Sequence, residues 1–145
     1  MKAFLDTSVL VATFYADHEH HLPSIELFLR FGKKEACCGA HSLAEVYATL
    51  TEMPGKRRVS GNEALLFLSD IRERLALVAL DDEEYFQMAE ASATAGLISG
   101  AIYGAILGQC ALKANAEILY TWNTRDFMRI PAIAGRVKSP NRQGQ

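Results

Sequence analysis

"KAFLDTSVLVATFYA", residues 2–16, consists of a short apolar run and a longer one, separated by Asp6. Residues 2–5 have the length and composition of a buried β-strand, and the run that begins at Thr7 has those of a helix. Thr7 or Ser8 is the expected N-cap, because a hydroxyl oxygen at that point accepts a hydrogen bond from a free backbone N–H. The stretch therefore predicts a strand that passes directly into a helix.

The same alternation of strand and helix patterns continues along the chain. Further strands are expected at residues 35–40, 75–80 and 116–122, with a short edge strand in 136–140. Helices are expected from about Pro23 to Phe31, over 41–53 with Ser42 as N-cap, over 62–74, from Asp81 onwards, and around residues 101–112. Residues 75–80 are all apolar, which is typical of a strand buried on both faces. Such alternation predicts right-handed β–α–β units, and hence a single three-layer α/β domain with a parallel sheet over residues 1–145.

The composition excludes a disordered chain and a strongly basic one. Of the 145 residues 50% are hydrophobic and 22% are charged, and the net charge is −2. This charge gives no general attraction to nucleic acid, so any RNA or DNA binding must use a local basic patch. Residues 56–58 form one such patch and Arg125 with Arg129 another, and each is equally well explained as a solvated surface.

Cysteine usage and the N-terminal residues predict a cytoplasmic location. The three cysteines, Cys37, Cys38 and Cys110, lack the spacing of metal ligands and are expected to be buried thiols in a reducing compartment. Asp6 interrupts the first apolar run before that run is long enough to be the core of a signal peptide.

A charge-free segment at residues 91–112 raises a membrane alternative. It contains glycines four residues apart at 96, 100, 104 and 108, a spacing that allows close packing of membrane helices. Its serines, its threonine and the glycines themselves lower its hydropathy, and no second such segment occurs in the chain. We therefore expect no membrane span.

Polar residues follow the predicted strands on what should be one edge of the sheet, where α/β proteins bind ligands. These residues are Asp6, Thr7, Ser8, Glu45, Asn123 and Asp126. Each acid has a structural explanation of its own: Asp6 as a helix cap, Glu45 as a surface residue and Asp126 as a turn residue. Together, carboxylates with no nucleophile–base pair beside them indicate a hard cation, Mg²⁺ or Mn²⁺, and metal-assisted attack on a phosphodiester.

Four segments in order resemble the motifs of PIN domains, specifically of the VapC-type toxins of bacterial type II toxin–antitoxin pairs. They are "FLDTSVLVA" (4–12), "HSLAEVYATLT" (41–51), "GAIYGAILGQCAL" (100–112) and "LYTWNTRDF" (119–127). The resemblance implies a parallel sheet of four or five strands and a divalent-metal site of three or four acids. It also implies endoribonuclease activity on single-stranded RNA or tRNA, a homodimer, and a cognate antitoxin that occludes the site.

Matched to the family motifs, Asp6 is the first acid, Glu45 the second and Asn123 the fourth position, with Asp126 as a nearby further acid. Thr7 or Ser8 corresponds to the hydroxyl that supports the site. The third acid is missing, since the family typically reads G-x-I-Y-D-A-L-I-A and this chain has Gly104 in the place of the aspartate. Loss of one ligand predicts weaker metal binding and reduced or absent turnover. The alternative function is a non-catalytic PIN-fold module that binds an antitoxin, RNA or both.

Two further groups of residues are expected to be structural. One group resembles a metal-binding cluster and consists of His18, His20 and His21, but a solvated polar loop is the simpler explanation. Trp122 and Tyr103 could stack on a base, yet both lie in strongly apolar sequence and are expected to pack in the core.

Overall fold

Five strands and seven α-helices alternate along residues 1–141, the part of the chain that the computed structural model describes. The strands are β1 (Ala3–Leu5), β2 (Ala36–Gly39), β3 (Ala76–Val78), β4 (Ile118–Tyr120) and β5 (Val137–Lys138). The helices are α1 (Thr7–Phe14), α2 (His21–Arg30), α3 (His41–Glu52), α4 (Gly61–Arg74), α5 (Asp82–Ala95), α6 (Ala101–Lys113) and α7 (Thr124–Met128). Short 3-10 turns cover Gly55–Arg57 and Ala134–Arg136.

All neighbouring strands are parallel, in the order β3-β2-β1-β4-β5. The first strand is therefore the centre of the sheet, with Phe4 beside Cys37 of β2 on one side and Leu119 of β4 on the other. The parallel sheet is confirmed, with five strands. Because the strands that flank β1 run in its direction, the residues that follow β1 and β4 meet at the same edge.

Helices cover both faces of the sheet, as the alternation of side chains along each strand requires. Ala3 and Leu5 of β1 pack with apolar residues of α1 to α4 on one face. Phe4 points to the other face, where it packs with Leu107 of α6 and Phe127 of α7. A third cluster joins α5 to α6. The predicted three-layer α/β/α arrangement is confirmed.

Three local predictions were wrong. β3 lies at the edge of the sheet, and Leu77 in it is 38% exposed, so this apolar run is not buried on both faces. Asp6, rather than Thr7 or Ser8, is the N-cap of α1, since its carboxylate accepts a hydrogen bond from the backbone N–H of Ser8. Helix α3 begins at His41, after Ala40, so that Ser42 lies inside the helix and does not cap it.

The glycine-containing segment is divided between two helices. α5 ends at Gly96, whose φ of 74° is a left-handed conformation that glycine adopts without steric cost. α6 begins only at Ala101. At Gly108 an added Cβ would lie 3.4 Å from Ile130 Cδ1, so this small residue allows α6 to pack closely against the loop that follows α7. None of the helices in residues 1–141 combines the length and the hydropathy that a bilayer crossing requires.

The three cysteines are free and buried, as predicted. Burial raises the pKa of the Cys37 and Cys38 thiols to about 12, so that neither forms a thiolate near neutral pH. They are packing residues of the central strands.

Candidate active site

A cavity of about 670 Å³ opens at the edge where β1 and β4 end. It collects side chains from the end of β1, from α3, from α6 and from the segment that follows β4. All the site residues expected from the sequence line it, namely Asp6, Thr7, Ser8, Glu45, Gly104, Asn123 and Asp126. The tertiary structure therefore brings together residues that lie up to about 120 positions apart in the chain.

Asp6 is the most buried of these residues, at 3% exposure. Its Oδ2 atom accepts hydrogen bonds from the hydroxyls of Ser8 and Thr121, each at 2.7 Å. No hydrogen bond within residues 1–141 uses Oδ1. Every fully buried side-chain polar atom of that part of the chain has a partner, so Oδ1 must be accessible from the cavity. One oxygen of Asp6 is thus held by the protein and the other is open to a ligand.

Burial raises the pKa of the Asp6 carboxyl, because a low-dielectric surrounding disfavours the charged form. The hydrogen bonds from Thr121 and Ser8 act in the opposite direction, since they stabilise the carboxylate. A cation in the cavity would stabilise the same charge. Asp6 therefore has a buried negative charge that hydroxyl groups and backbone N–H groups at the start of α1 offset, with no contribution from a cationic side chain of residues 1–141.

Thr121 is a site residue to which the sequence analysis assigned no role. It is fully buried at the end of β4, and its hydroxyl both donates to Asp6 and accepts a 2.9 Å hydrogen bond from the backbone N–H of Asn123. Ser8 has the matching arrangement, because its hydroxyl donates to Asp6 and accepts from the backbone N–H of Trp122 at 3.0 Å. The two hydroxyls thus tie Asp6 to the segment after β4. The signal in the sequence was a threonine at the carboxyl end of a strand that proves to be adjacent to β1.

Glu45 lies on α3, one turn from its start, and is partly exposed to the cavity. Its Oε1 atom accepts a hydrogen bond from the Thr7 hydroxyl at 3.2 Å and lies 3.9 Å from Nε2 of His41. The Thr7 hydroxyl is also 2.8 Å from that of Ser42. Burial raises the pKa of Glu45, as does the nearby charge of Asp6, while His41 and Thr7 act in the opposite direction. The two acids are therefore close enough to repel each other.

Asn123 and Asp126 line the same cavity from an exposed segment at the start of α7. Within residues 1–141, no three acidic, histidine or cysteine side chains are arranged to hold one metal ion together. Asp6 and Glu45 both line the cavity, and the charge of Asp6 helps to raise the pKa of Glu45. That pair fits a hard cation such as Mg²⁺, which commonly binds through one or two carboxylates and completes its coordination with water and substrate phosphate.

Gly104 lines the cavity on the first half of α6. Apart from its chain neighbours and the backbone of α6, no atom lies within 4 Å of the position that a Cβ would take there. A Cβ at this position would therefore meet no clash on the wall of the cavity that Asp6 and Glu45 also line.

Of the two aromatic residues that were predicted to pack in the core, only Trp122 does so. Tyr103 is 54% exposed and lines the cavity, so the prediction that it packs in the core was wrong. Trp122 does pack against the core, and its indole N–H donates to Ser24 Oγ at 2.8 Å. His20 stacks on that indole at a centroid distance of 3.8 Å. His21 contacts the carbonyl of Ala12 through Nδ1 at 2.8 Å. His20 and His21 therefore make packing contacts, although the segment is partly exposed and Asp17 and Glu19 in it are exposed.

Comparison with known proteins agrees with this geometry. The sequence profile of the PIN domain matches residues 3–133. Ribonuclease VapC40 of Mycobacterium tuberculosis is 34% identical over 125 residues, which cover 86% of this chain and 87% of that protein.

Solved structures share the fold at lower identity. Mycobacterium tuberculosis VapC20, a toxin that cleaves the sarcin-ricin loop, superposes with a TM-score of 0.70 at 15% identity over 86% of this chain and 92% of that one. VapBC2 of Rickettsia felis, bound to a DNA fragment from its promoter, gives a TM-score of 0.67 at 19% identity over 97% of this chain and 100% of the matched one. On the profile match and the identity to VapC40, this chain belongs to the PIN-domain family and, within it, to the VapC-type ribonucleases.

Proposed function

We propose that this chain is a divalent-metal-dependent endoribonuclease toxin that cleaves single-stranded RNA or tRNA, and that Gly104 attenuates its turnover. The observation that carries the proposal is the cavity that Asp6 and Glu45 both line, each with a carboxylate oxygen that accepts no hydrogen bond from residues 1–141. Two carboxylates of raised pKa in one cavity are a costly arrangement, because Asp6 has no cationic partner among the described residues and Glu45 has only His41, at 3.9 Å. A bound cation offsets that cost.

In this mechanism Asp6 and Glu45 hold Mg²⁺ or Mn²⁺, with Asn123 and Asp126 at the outer side of the cavity. The bound cation supplies a more acidic water molecule and stabilisation of the negative charge that develops on the phosphate. Ser8 and Thr121 hold the carboxylate of Asp6 through hydrogen bonds to Oδ2, and this fixes the orientation in which Oδ1 meets a ligand. Thr7 does the same for Glu45 through Oε1. Arg129, which also lines the cavity, is the cationic side chain placed to attract the RNA backbone.

Removal of the metal tests the proposal directly. Incubated with single-stranded RNA, the chain should cleave slowly in Mg²⁺ or Mn²⁺ and not at all in excess EDTA, and Asp6→Ala should abolish the residual cleavage. Gel analysis of an end-labelled RNA measures both effects. Cleavage that persists at the same rate in EDTA would contradict the metal-dependent mechanism.

Thr121 gives a second test, because it acts on the RNA only through Asp6. Thr121→Val removes the hydroxyl and keeps the shape of the side chain, and loss of such a hydrogen bond to a metal ligand typically costs about 10- to 100-fold in activity. The loss should be measured as the initial rate of metal-dependent RNA cleavage in the Gly104→Asp chain, where activity is expected to be higher.

Thr13→Val is the matched control. Thr13 is also buried, and its hydroxyl bonds only within α1, to the carbonyl of Val9 at 2.8 Å. This variant should therefore leave the cleavage rate unchanged. Equal losses in the two variants would mean that the Thr121 effect arises from a general loss of stability.

The partners follow from the same proposal. The solved structures that share this fold include a toxin–antitoxin complex from Klebsiella pneumoniae and VapBC-1 from nontypeable Haemophilus influenzae. We propose that this chain also binds a cognate antitoxin, that the antitoxin occludes the cavity, and that the chain forms a homodimer in the cytoplasm. The second candidate function is a non-catalytic PIN-fold module that binds an antitoxin, RNA or both, and the observation in its favour is the absence of the third acid at Gly104.

A further inference from the structure

Tyr103 is an aromatic side chain on the wall of the acidic cavity with more than half of its surface exposed. It belongs to none of the hydrophobic clusters found in residues 1–141. Phe127 and Trp122, which also line the cavity, are already engaged, because Phe127 is buried in the core and Trp122 packs between His20 and the core. Tyr103 therefore has an open aromatic surface beside the acids.

The ring of Tyr103 is held in place although it is exposed. It lies parallel to the imidazole of His41, with an interplanar angle of 5° and a centroid distance of 5.9 Å, which is an offset stack. His41 belongs to α3 and Tyr103 to α6, so the stack joins the two helices that border the cavity. Through Nε2, His41 also lies 3.9 Å from Glu45 Oε1. The ring is thus fixed relative to one of the two acids.

We propose that Tyr103 is the stacking surface for one unpaired base of the RNA, and that His41 positions its ring. The inference rests on the proposed function, since it takes RNA to be the ligand of the cavity. A fixed aromatic ring stacks on any base at little cost in conformational entropy. The next residue, Gly104, adds no side chain to this wall of the cavity. A base that is paired and stacked inside a duplex cannot use this surface, so the site selects single-stranded RNA.

Fluorescence of 2-aminopurine tests the contact without relying on cleavage. The probe is a short single-stranded uridine oligomer with one 2-aminopurine, placed at each position in turn and titrated with protein in EDTA and again in Mg²⁺. At one position the fluorescence should be quenched by the chain as given and by Tyr103→Phe, which keeps the ring. Tyr103→Leu should remove the quenching and weaken binding roughly 5- to 150-fold, the usual loss for one stacked base.

Two controls make the result specific. Tyr85→Leu changes another exposed tyrosine, on α5 and outside the cavity, and should leave quenching and affinity unchanged. An oligomer with an abasic site at the quenched position should bind the chain and Tyr103→Leu equally well, because the base that stacks on the ring is missing.

The outcomes separate this inference from the proposed function. If the chain binds the oligomer and Tyr103→Leu binds it equally tightly, with the same quenching, the stacking role is wrong and RNA as substrate is unaffected. If Tyr103→Leu changes only the oligomeric state measured by sedimentation, the ring belongs to a protein interface and the stacking role is again wrong. If the chain binds no single-stranded RNA in either buffer, both the inference and the proposed substrate are overturned.

Discussion

Gly104→Asp should raise the rate of metal-dependent RNA cleavage by about 100-fold or more relative to the chain as given. The new side chain would begin in open space on the cavity wall, since no atom other than those of its chain neighbours and of the α6 backbone lies within 4 Å of a Cβ at this position. It would add a third negative charge to those of Asp6 and Glu45 and thereby offset more of the cost of dehydrating the cation. Initial cleavage rates at several Mg²⁺ and Mn²⁺ concentrations measure both the gain in turnover and the tighter metal binding.

Two variants at the same position isolate the effect of the charge. Gly104→Asn has nearly the shape of aspartate without its charge and should give at most a small gain. Gly104→Ala should raise the free energy of unfolding by up to about 1 kcal/mol, because alanine replaces glycine inside a helix, and should leave cleavage unchanged. If Gly104→Asp is no faster than Gly104→Asn, the position contributes no metal ligand, and attenuation through Gly104 is wrong. A chain that already cleaves at the rate of Gly104→Asp would lead to the same conclusion.

Asp6→Asn should abolish cleavage and at the same time make the metal-free protein more stable. Asparagine keeps an oxygen that can accept the hydrogen bonds of Ser8 and Thr121, and it remains a good helix N-cap. It removes a buried charge that has no cationic partner. At pH 7 in EDTA we expect a gain of roughly 1 to 2 kcal/mol in the free energy of unfolding, or about 2 to 8 °C in melting temperature.

The pH dependence of this gain follows from the raised pKa of Asp6. An acid whose pKa is higher in the folded state than in the unfolded state binds more protons when folded, so its ionisation destabilises the fold. The gain from Asp6→Asn should therefore be small below the ordinary pKa of aspartate, where the acid is neutral in both states. It should grow as the pH rises and become constant above the folded-state pKa. Thermal unfolding in EDTA across this range measures it.

Asp70→Asn is the control for a general effect of charge, because Asp70 is exposed on α4 and lies outside the active-site cavity. It should change the melting temperature little at any pH.

Added Mg²⁺ or Mn²⁺ gives an independent readout for Asp6→Asn, since a ligand that binds only the folded state raises its stability. The cation should raise the melting temperature of the chain with Asp6 more than that of Asp6→Asn. An Asp6→Asn variant that is less stable than the parent chain at pH 7 in EDTA would contradict the view of Asp6 as a strained buried charge.

Prediction from the sequence succeeded where a pattern depends on neighbours along the chain. The polar residues after β1 and β4 could be assigned to one edge because parallel strands place their carboxyl ends together. The prediction that Gly104 replaces a ligand could be made because the motif around it is contiguous. The roles of these residues remain predictions, although their common cavity is a feature of the structure.

Prediction failed where the answer depends on which elements become neighbours. Residues 75–80 are all apolar, as is typical of a central strand, but β3 has a neighbouring strand on one side only. Six residues do not encode the position of a strand in its sheet. Tyr103 lies in an apolar helix with the same pattern as its buried neighbours, yet the cavity leaves it exposed. The role of Thr121 could not be predicted because its hydrogen-bond partner, Asp6, is 115 residues away in the sequence.

The sequence by itself determined the class of fold, and it predicts which acids form the site and that Gly104 replaces one of them, because these follow from local periodicity and from residue types in a fixed order. Only the tertiary structure decided how each acid is held. β1 and β4 are adjacent, so hydroxyls from both segments reach one oxygen of Asp6 and leave the other open to the cavity. The physical reason is that burial, hydrogen bonding and cavity shape arise from side chains distant in sequence, and these interactions set the charge state and the direction of a carboxylate.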